Sequence, residues 1–231
     1  MPLADSRDAA GRRPTPRQRR KDARPHELLE AALTLFVEKG FTATRTDEVA
    51  RRAGVSKGTL YLYYSSKEEL LKAAIAHYLS SRIAATAEEV RRIDGPMAPV
   101  LREMLVPWWQ QTYASPASGA FKLIITEVRN FPDIAEFYVR EVIEPGHQLV
   151  GAILQRGIAS GEFRAVNVES AVHSLVLPMV MVCMHKHSLG ACTRHSIDAA
   201  KFIADHVELV LSGLLTSPVK PRRSGRPIKS V

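Results

Sequence analysis

Residues 56–64 read Ser-Lys-Gly-Thr-Leu-Tyr-Leu-Tyr-Tyr, placing one cation and five hydroxyls within nine residues. Such groups suit phosphate oxygens and base edges, which accept hydrogen bonds and carry negative charge. Upstream, Thr44, Arg45 and Thr46 add two hydroxyls suited to phosphate and a guanidinium long enough to reach a base. Downstream, Lys67 stands where a neighbouring phosphate would be met. The expected DNA-contacting set is therefore Thr44, Arg45, Thr46, Ser56, Lys57, Gly58, Thr59, Tyr61, Tyr63 and Lys67. Each member also has a plainer reading. The tyrosines could be core aromatics, Tyr64 above all, and the lysines solvated charge; the joint spacing carries the argument.

These groups need helices to hold them. Leu28, Leu29, Ala32, Leu33, Phe36 and Val37 repeat at helical spacing, and Gly40 ends that helix. A second helix runs from about Arg45 to Ala53, with Thr44 and Asp47 spaced as a capping box. Its Val49 and Ala50 are apolar, Ala53 allows close approach, and Gly54 permits a sharp turn. Ser56 then caps a third helix that ends near Tyr63 and is anchored by Leu60; its free amides suit phosphate. Gly58 is costly inside a helix, and close approach to a DNA backbone would explain it. This is the pattern of a helix-turn-helix, in which one helix braces the next for entry into the major groove.

Gly40-Phe41, Thr44, Val49-Ala50, the run from Ala53 to Tyr61, Tyr63-Tyr64 and the run from Ser66 to Leu70 resemble the N-terminal domain of the TetR family of bacterial transcriptional regulators. The resemblance covers about residues 25–72. It departs at Arg45, where Ser or Thr is common, and at Tyr64, where Phe is common. The resemblance implies a homodimer whose two heads bind a pseudo-palindromic operator on double-stranded DNA. Such a protein is most often a repressor released by a small-molecule effector; an activator or a ligand-independent regulator is the alternative.

The rest of the chain also reads as helices. They are expected from Ser66 to Ile93, Pro96 to Tyr113, Ala117 to Asn130, Asp133 to Ser160, Asn167 to His187 and Ser196 to Thr216, with breaks rich in Pro and Gly. The fold class is all-α with about nine helices. Residues 25–72 form the helix-turn-helix domain and 73–216 a larger effector-binding and dimerisation domain. Pro107, Pro145 and Pro178 interrupt helical patterns, and kinked helices leave gaps. Trp108, Trp109, Tyr113, Phe121, Phe137 and Met179 are candidate pocket residues, with Met181 and Met184 beside them; each is equally at home in an ordinary core. The final two helices carry broad apolar faces, with Leu175, Met179, Val182, Val207, Val210 and Leu214 as candidate dimer contacts. In TetR-like proteins that position commonly forms a four-helix interface.

No nucleophile elbow, phosphate loop or spaced carboxylate pair appears in residues 73–216, so no enzyme and no cofactor are expected. A protein-interaction adaptor remains the reading from another class. Cys183, His185, His187, Cys192 and His195 are close in sequence, but only Cys183 and His187 share a helix face, and no metal is assigned. Two cysteines, no apolar leader and a longest apolar run of only ten residues (Leu175 to Met184) point to a soluble cytoplasmic protein away from membranes.

The net charge of +8 sits in the ends. Residues 1–24 carry eight basic and three acidic side chains, and residues 217–231 carry five basic and none acidic, leaving the body at −2. Both ends read as disordered basic tails with electrostatic affinity for DNA. Gly225-Arg226-Pro227 is a weak match to the centre of an AT-hook.

Overall fold

The computed structural model describes residues 16–127, 129–192 and 197–216. Helix α1 (Pro16–Lys39) buries Leu28, Leu29, Ala32, Leu33 and Phe36 along one stripe, the period seen in the sequence. It begins nine residues ahead of the expected start at residue 25, so residues 16–24 extend the helix and are not a loose arm. The rest of the two expected tails, residues 1–15 and 217–231, lies outside the described residues.

Helices α2 (Thr46–Arg52) and α3 (Lys57–Tyr63) follow. Between them Gly54 adopts φ +66°, a left-handed value that a side chain would strain, and the Val55 amide donates to the Ala50 carbonyl at 2.9 Å. Helix α4 (Lys67–Ile75) opens on Ser66, whose hydroxyl accepts from the Glu69 amide at 3.1 Å. It passes through a π-helical turn at Ala76–Ser80 into α5 (Ser81–Arg91), so one rod links the head to the body.

The body adds α6 (Met97–Ala114), α7 (Ala117–Glu127), α8 (Pro132–Tyr138), α9 (Glu144–Ala159), α10 (Val168–Lys186) and α11 (Ala199–Leu214). Helices α8 and α9 are also joined by a π turn, Val139–Ile143. Pro145 has no N–H for the carbonyl four residues back, and the widened turn just before it absorbs that loss. With each π-joined pair counted as one rod, nine rods are present among the described residues, and no strand. A single bridge pairs Phe163 with Leu215. The Glu162 carboxylate accepts from the Met97 and Ala98 amides, supplying the cap that Pro96 cannot.

Helix α1 rests on α2, α4 and α7, and α4 also touches α8, which seats the head on the body. Gly119 in α7 makes this possible: a Cβ there would fall 2.4 Å from Val37 of α1. By length and mean hydropathy α10 could cross a membrane, while its unbroken apolar run is the ten residues read from the sequence. It packs against α7, α9 and α11, as a core helix of the bundle does.

Candidate DNA-reading head and effector cavity

Helix α3 is held by a single fully buried side chain, Leu60. Ser56, Lys57, Gly58, Tyr61, Leu62 and Tyr63 are exposed, so nearly the whole helix faces solvent. The Ser56 hydroxyl accepts from the Thr59 amide at 3.1 Å and lies 2.8 Å from the Thr59 hydroxyl. Tyr61 is oriented by Thr46, their oxygens 3.0 Å apart, and Lys57 stands 5.9 Å over its ring. A Cβ at Gly58 would meet nothing closer than 3.8 Å, so packing within the chain does not demand this glycine. Tyr64 packs against the core, and burial raises its phenol pKa.

Ion pairs fasten α2 to the end of α1. Lys39 reaches Glu48 at 2.7 Å and Arg52 reaches Glu38 at 2.9 Å. Glu48 also accepts from the Arg45 amide at 3.2 Å, so half of a capping box forms one residue later than expected, at Arg45 and Glu48 and not at Thr44 and Asp47; the Arg45 side chain has no acceptor for the other half. The hydrogen bond from Lys39 leads the causes that hold the Glu48 carboxyl below its usual range. Arg45 is exposed and steered by Asp47 at 3.1 Å; that bond lowers the Asp47 pKa and raises that of Arg45.

Two expected DNA contacts are corrected. Thr44 is only 2% exposed, and its hydroxyl donates to the Gly40 and Leu35 carbonyls at 2.8 and 3.1 Å. Lys67 spends its ammonium on the Phe41, Thr42 and Thr44 carbonyls at 2.8, 3.2 and 3.2 Å and lies over the Phe41 ring. Both fasten the loop before α2, because a lysine has three protons and all three are taken. One exposed side chain of α3 escaped the sequence reading. Leu62 is 84% exposed between Tyr61 and Tyr63. Two residues are about 200° of helix, so a chain anchored at Leu60 must turn Leu62 outward.

In the body, α5 to α10, with the π turn between α8 and α9, enclose a cavity of about 460 Å³. Trp108, Trp109 and Phe121 line it as expected. Tyr113, Phe137 and Met179 do not. Tyr113 packs under the Lys186 ammonium, 4.6 Å from its ring, and Met179 is in the core. Phe137 faces the head, where Lys72 lies 6.0 Å from its ring. Met181 is exposed and Met184 half-buried, neither in the wall. The stripe Val139, Val142, Ile143, Gly146 and Val150 completes the wall, and its helical spacing was there to be read. The polar groups in the wall include the Tyr138 phenol, whose pKa burial raises, and the paired rings of His147 and His173, 5.0 Å apart.

Comparison with known proteins decides what this arrangement is. A family model for bacterial regulatory proteins of the tetR family matches residues 28–74, and one for a tetracyclin repressor-like C-terminal domain matches residues 100–199. An uncharacterised HTH-type transcriptional regulator, YfiR of Bacillus subtilis, is 30% identical over 69% of this chain and 77% of its own length. The chain belongs to the TetR family. The HTH-type transcriptional repressor KstR2 of Mycolicibacterium smegmatis is 22% identical over 84% of this chain and 92% of its own. The fatty acid degradation regulator FadR of Bacillus halodurans shares the fold, with a TM-score of 0.65 at 20% identity, over 82% of this chain and 95% of that one.

This TetR-family chain is thus a DNA-binding transcription regulator, with α2–α3 as its helix-turn-helix. The expected dimer contacts need correction. Leu175, Met179, Val182, Val207 and Leu214 are buried within the single chain, and Val210 is half-buried against the same core. The large apolar side chains that α10 and α11 leave exposed are Leu177, Met181 and Leu209. His206 ties the two helices, its Nε2 donating to the Ser174 carbonyl at 2.9 Å. Among the described residues no group of three or more His, Cys, Asp or Glu could hold a metal. Cys183 is buried, its thiol pushed up to about 12 chiefly by burial, and His187 lies 2.8 Å from the Ser118 hydroxyl; His195 lies outside the described residues.

Proposed function

We propose that this protein represses transcription as a homodimer bound to a two-fold-related operator, and that an apolar small molecule in the body cavity releases it. Ile83 and Thr86 of α5 stand in the cavity wall, and this carries the reading. Helix α5 continues α4, and the first residue of α4, Lys67, is bonded to the loop before the reading unit. A ligand that displaces α5 therefore displaces the head. A dimer whose heads stand at the wrong separation cannot enter two successive major grooves. Met181 and Leu209 offer a partner-facing surface beside the tied α10–α11 pair. Repression is favoured because the relative aligned over 92% of its length is named a repressor.

Selection of bound sequences from a random duplex pool tests the reading. The expected product is an inverted repeat with half-sites about one helical turn apart. Replacing Lys57 by Ala together with Tyr61 by Phe should abolish enrichment. A monomer in sedimentation, or full affinity in that double variant, would overturn the proposal.

A further inference from the structure

We infer that the effector is an apolar acid, its hydrocarbon body in the cavity and its carboxylate held by Arg82 at the rim between α5 and α6. The inference rests on the reading of that cavity as the effector site. Beside it lies a second hollow of about 640 Å³, bordered by Arg82, Glu89, Glu103 and Gln111. The two hollows share Thr86, Met104 and Trp108 as a common boundary. The Arg82 guanidinium lies 5.5 Å from the centre of the Trp108 ring, so it stands beside a wall of the apolar cavity.

Arg82 is half-buried and donates to the Gln111 side-chain oxygen at 2.9 Å. Its pKa is lowered, and burial is the cause; no carboxylate offsets it. Arg52, Arg92, Arg102 and Arg140, by contrast, each pair with an acid. A guanidinium has five N–H donors in a fixed fork, and one bond to Gln111 leaves most of them for a bidentate partner. A carboxylate fits that geometry, and its single charge matches the single cation. A dianionic phosphate fits less well, because Glu89, Asp94 and Glu103 border the same hollow and repel two charges more strongly than one.

The rival anchor is the His147–His173 pair in the cavity wall. Burial lowers the His147 pKa, so at neutral pH that ring offers a hydrogen bond and no charge. The choice is therefore between a site that prefers an anion and one that prefers any acceptor.

Calorimetry on the full chain with dodecanoate, 1-dodecanol and dodecyl phosphate separates these cases. Wild-type protein should bind dodecanoate about ten-fold more tightly than dodecanol, the order expected of one charge-assisted bond. Arg82→Gln should remove most of that preference while leaving dodecanol affinity unchanged, which also shows that the variant is folded. His173→Leu should leave the preference in place. The inference is overturned if acid and alcohol bind wild type equally, if Arg82→Gln keeps the preference, if it moves with His173, or if dodecyl phosphate is the tightest of the three. If neither acid nor alcohol binds, the cavity reading itself fails, and this inference falls with it.

Discussion

Lys67 shows how one side chain can be read correctly in type and wrongly in direction. A cation at the start of α4 suggests phosphate, yet its three protons go to carbonyls of the loop that precedes α2. Removing them takes one donor from each of three carbonyls, of which Phe41 keeps the Thr44 amide, and two of the lost bonds are partly buried. Lys67→Met should therefore destabilise the fold by about 1–3 kcal/mol. Thermal unfolding without DNA would register this; an unchanged melting temperature would return Lys67 to the operator. Thr44 has the same history, since its hydroxyl was foreseen as a donor but not its burial. Side-chain type is written in the sequence, whereas direction is set by how the loop closes over Leu35 and Gly40.

At the level of elements, the nine rods were legible because Gly40, Gly54, Pro96, Pro116, Pro132 and Gly161 punctuate a chain that is otherwise helical in period. The π turns at 76–80 and 139–143 were not, since widening one turn depends on what the rod must pack against. The apolar faces of α10 and α11 were also seen, but the richest face went to the chain's own core, leaving Leu177, Met181 and Leu209 exposed. Periodicity tells which side of a helix is apolar and not what covers it. Gly119 marks the contact of α7 with α1, where even one methyl group collides with Val37. Gly119→Ala should cost about 1–3 kcal/mol by overpacking. Adding Val37→Ala should recover part of that loss, and a double-mutant cycle of melting temperatures measures it; strict additivity would mean the contact is not what matters.

For the whole molecule, His77, His147 and His187 all have lowered pKa values, with burial the largest cause in each. Neighbouring charge assists, from His26 at His77, His173 at His147, and Lys186 and Lys122 at His187. The unfolded chain takes up these protons near the ordinary value of 6.5 and the folded chain only below it. Stability should be fully present above pH 6.5 and fall as the pH drops through the folded-state values. Melting temperatures at pH 7.5 and 5.5 would show the decrease, and a rise instead would contradict the burial of these rings. Charge outside the described residues sets a second whole-molecule property. Deleting residues 1–15 and 217–231 should flatten the slope of log operator affinity against log salt, as phosphate contacts by the basic ends are lost. An equal slope would keep those ends off the duplex.

The chain has two tryptophans, Trp108 and Trp109, and both stand in the cavity wall with ring centres 4.7 Å apart. Indole emission responds to the polarity around it, so the unmodified protein is its own occupancy gauge. An oily guest that displaces water from the hollow would shift that light toward the blue, letting unlabelled compounds be screened by eye of the fluorimeter alone.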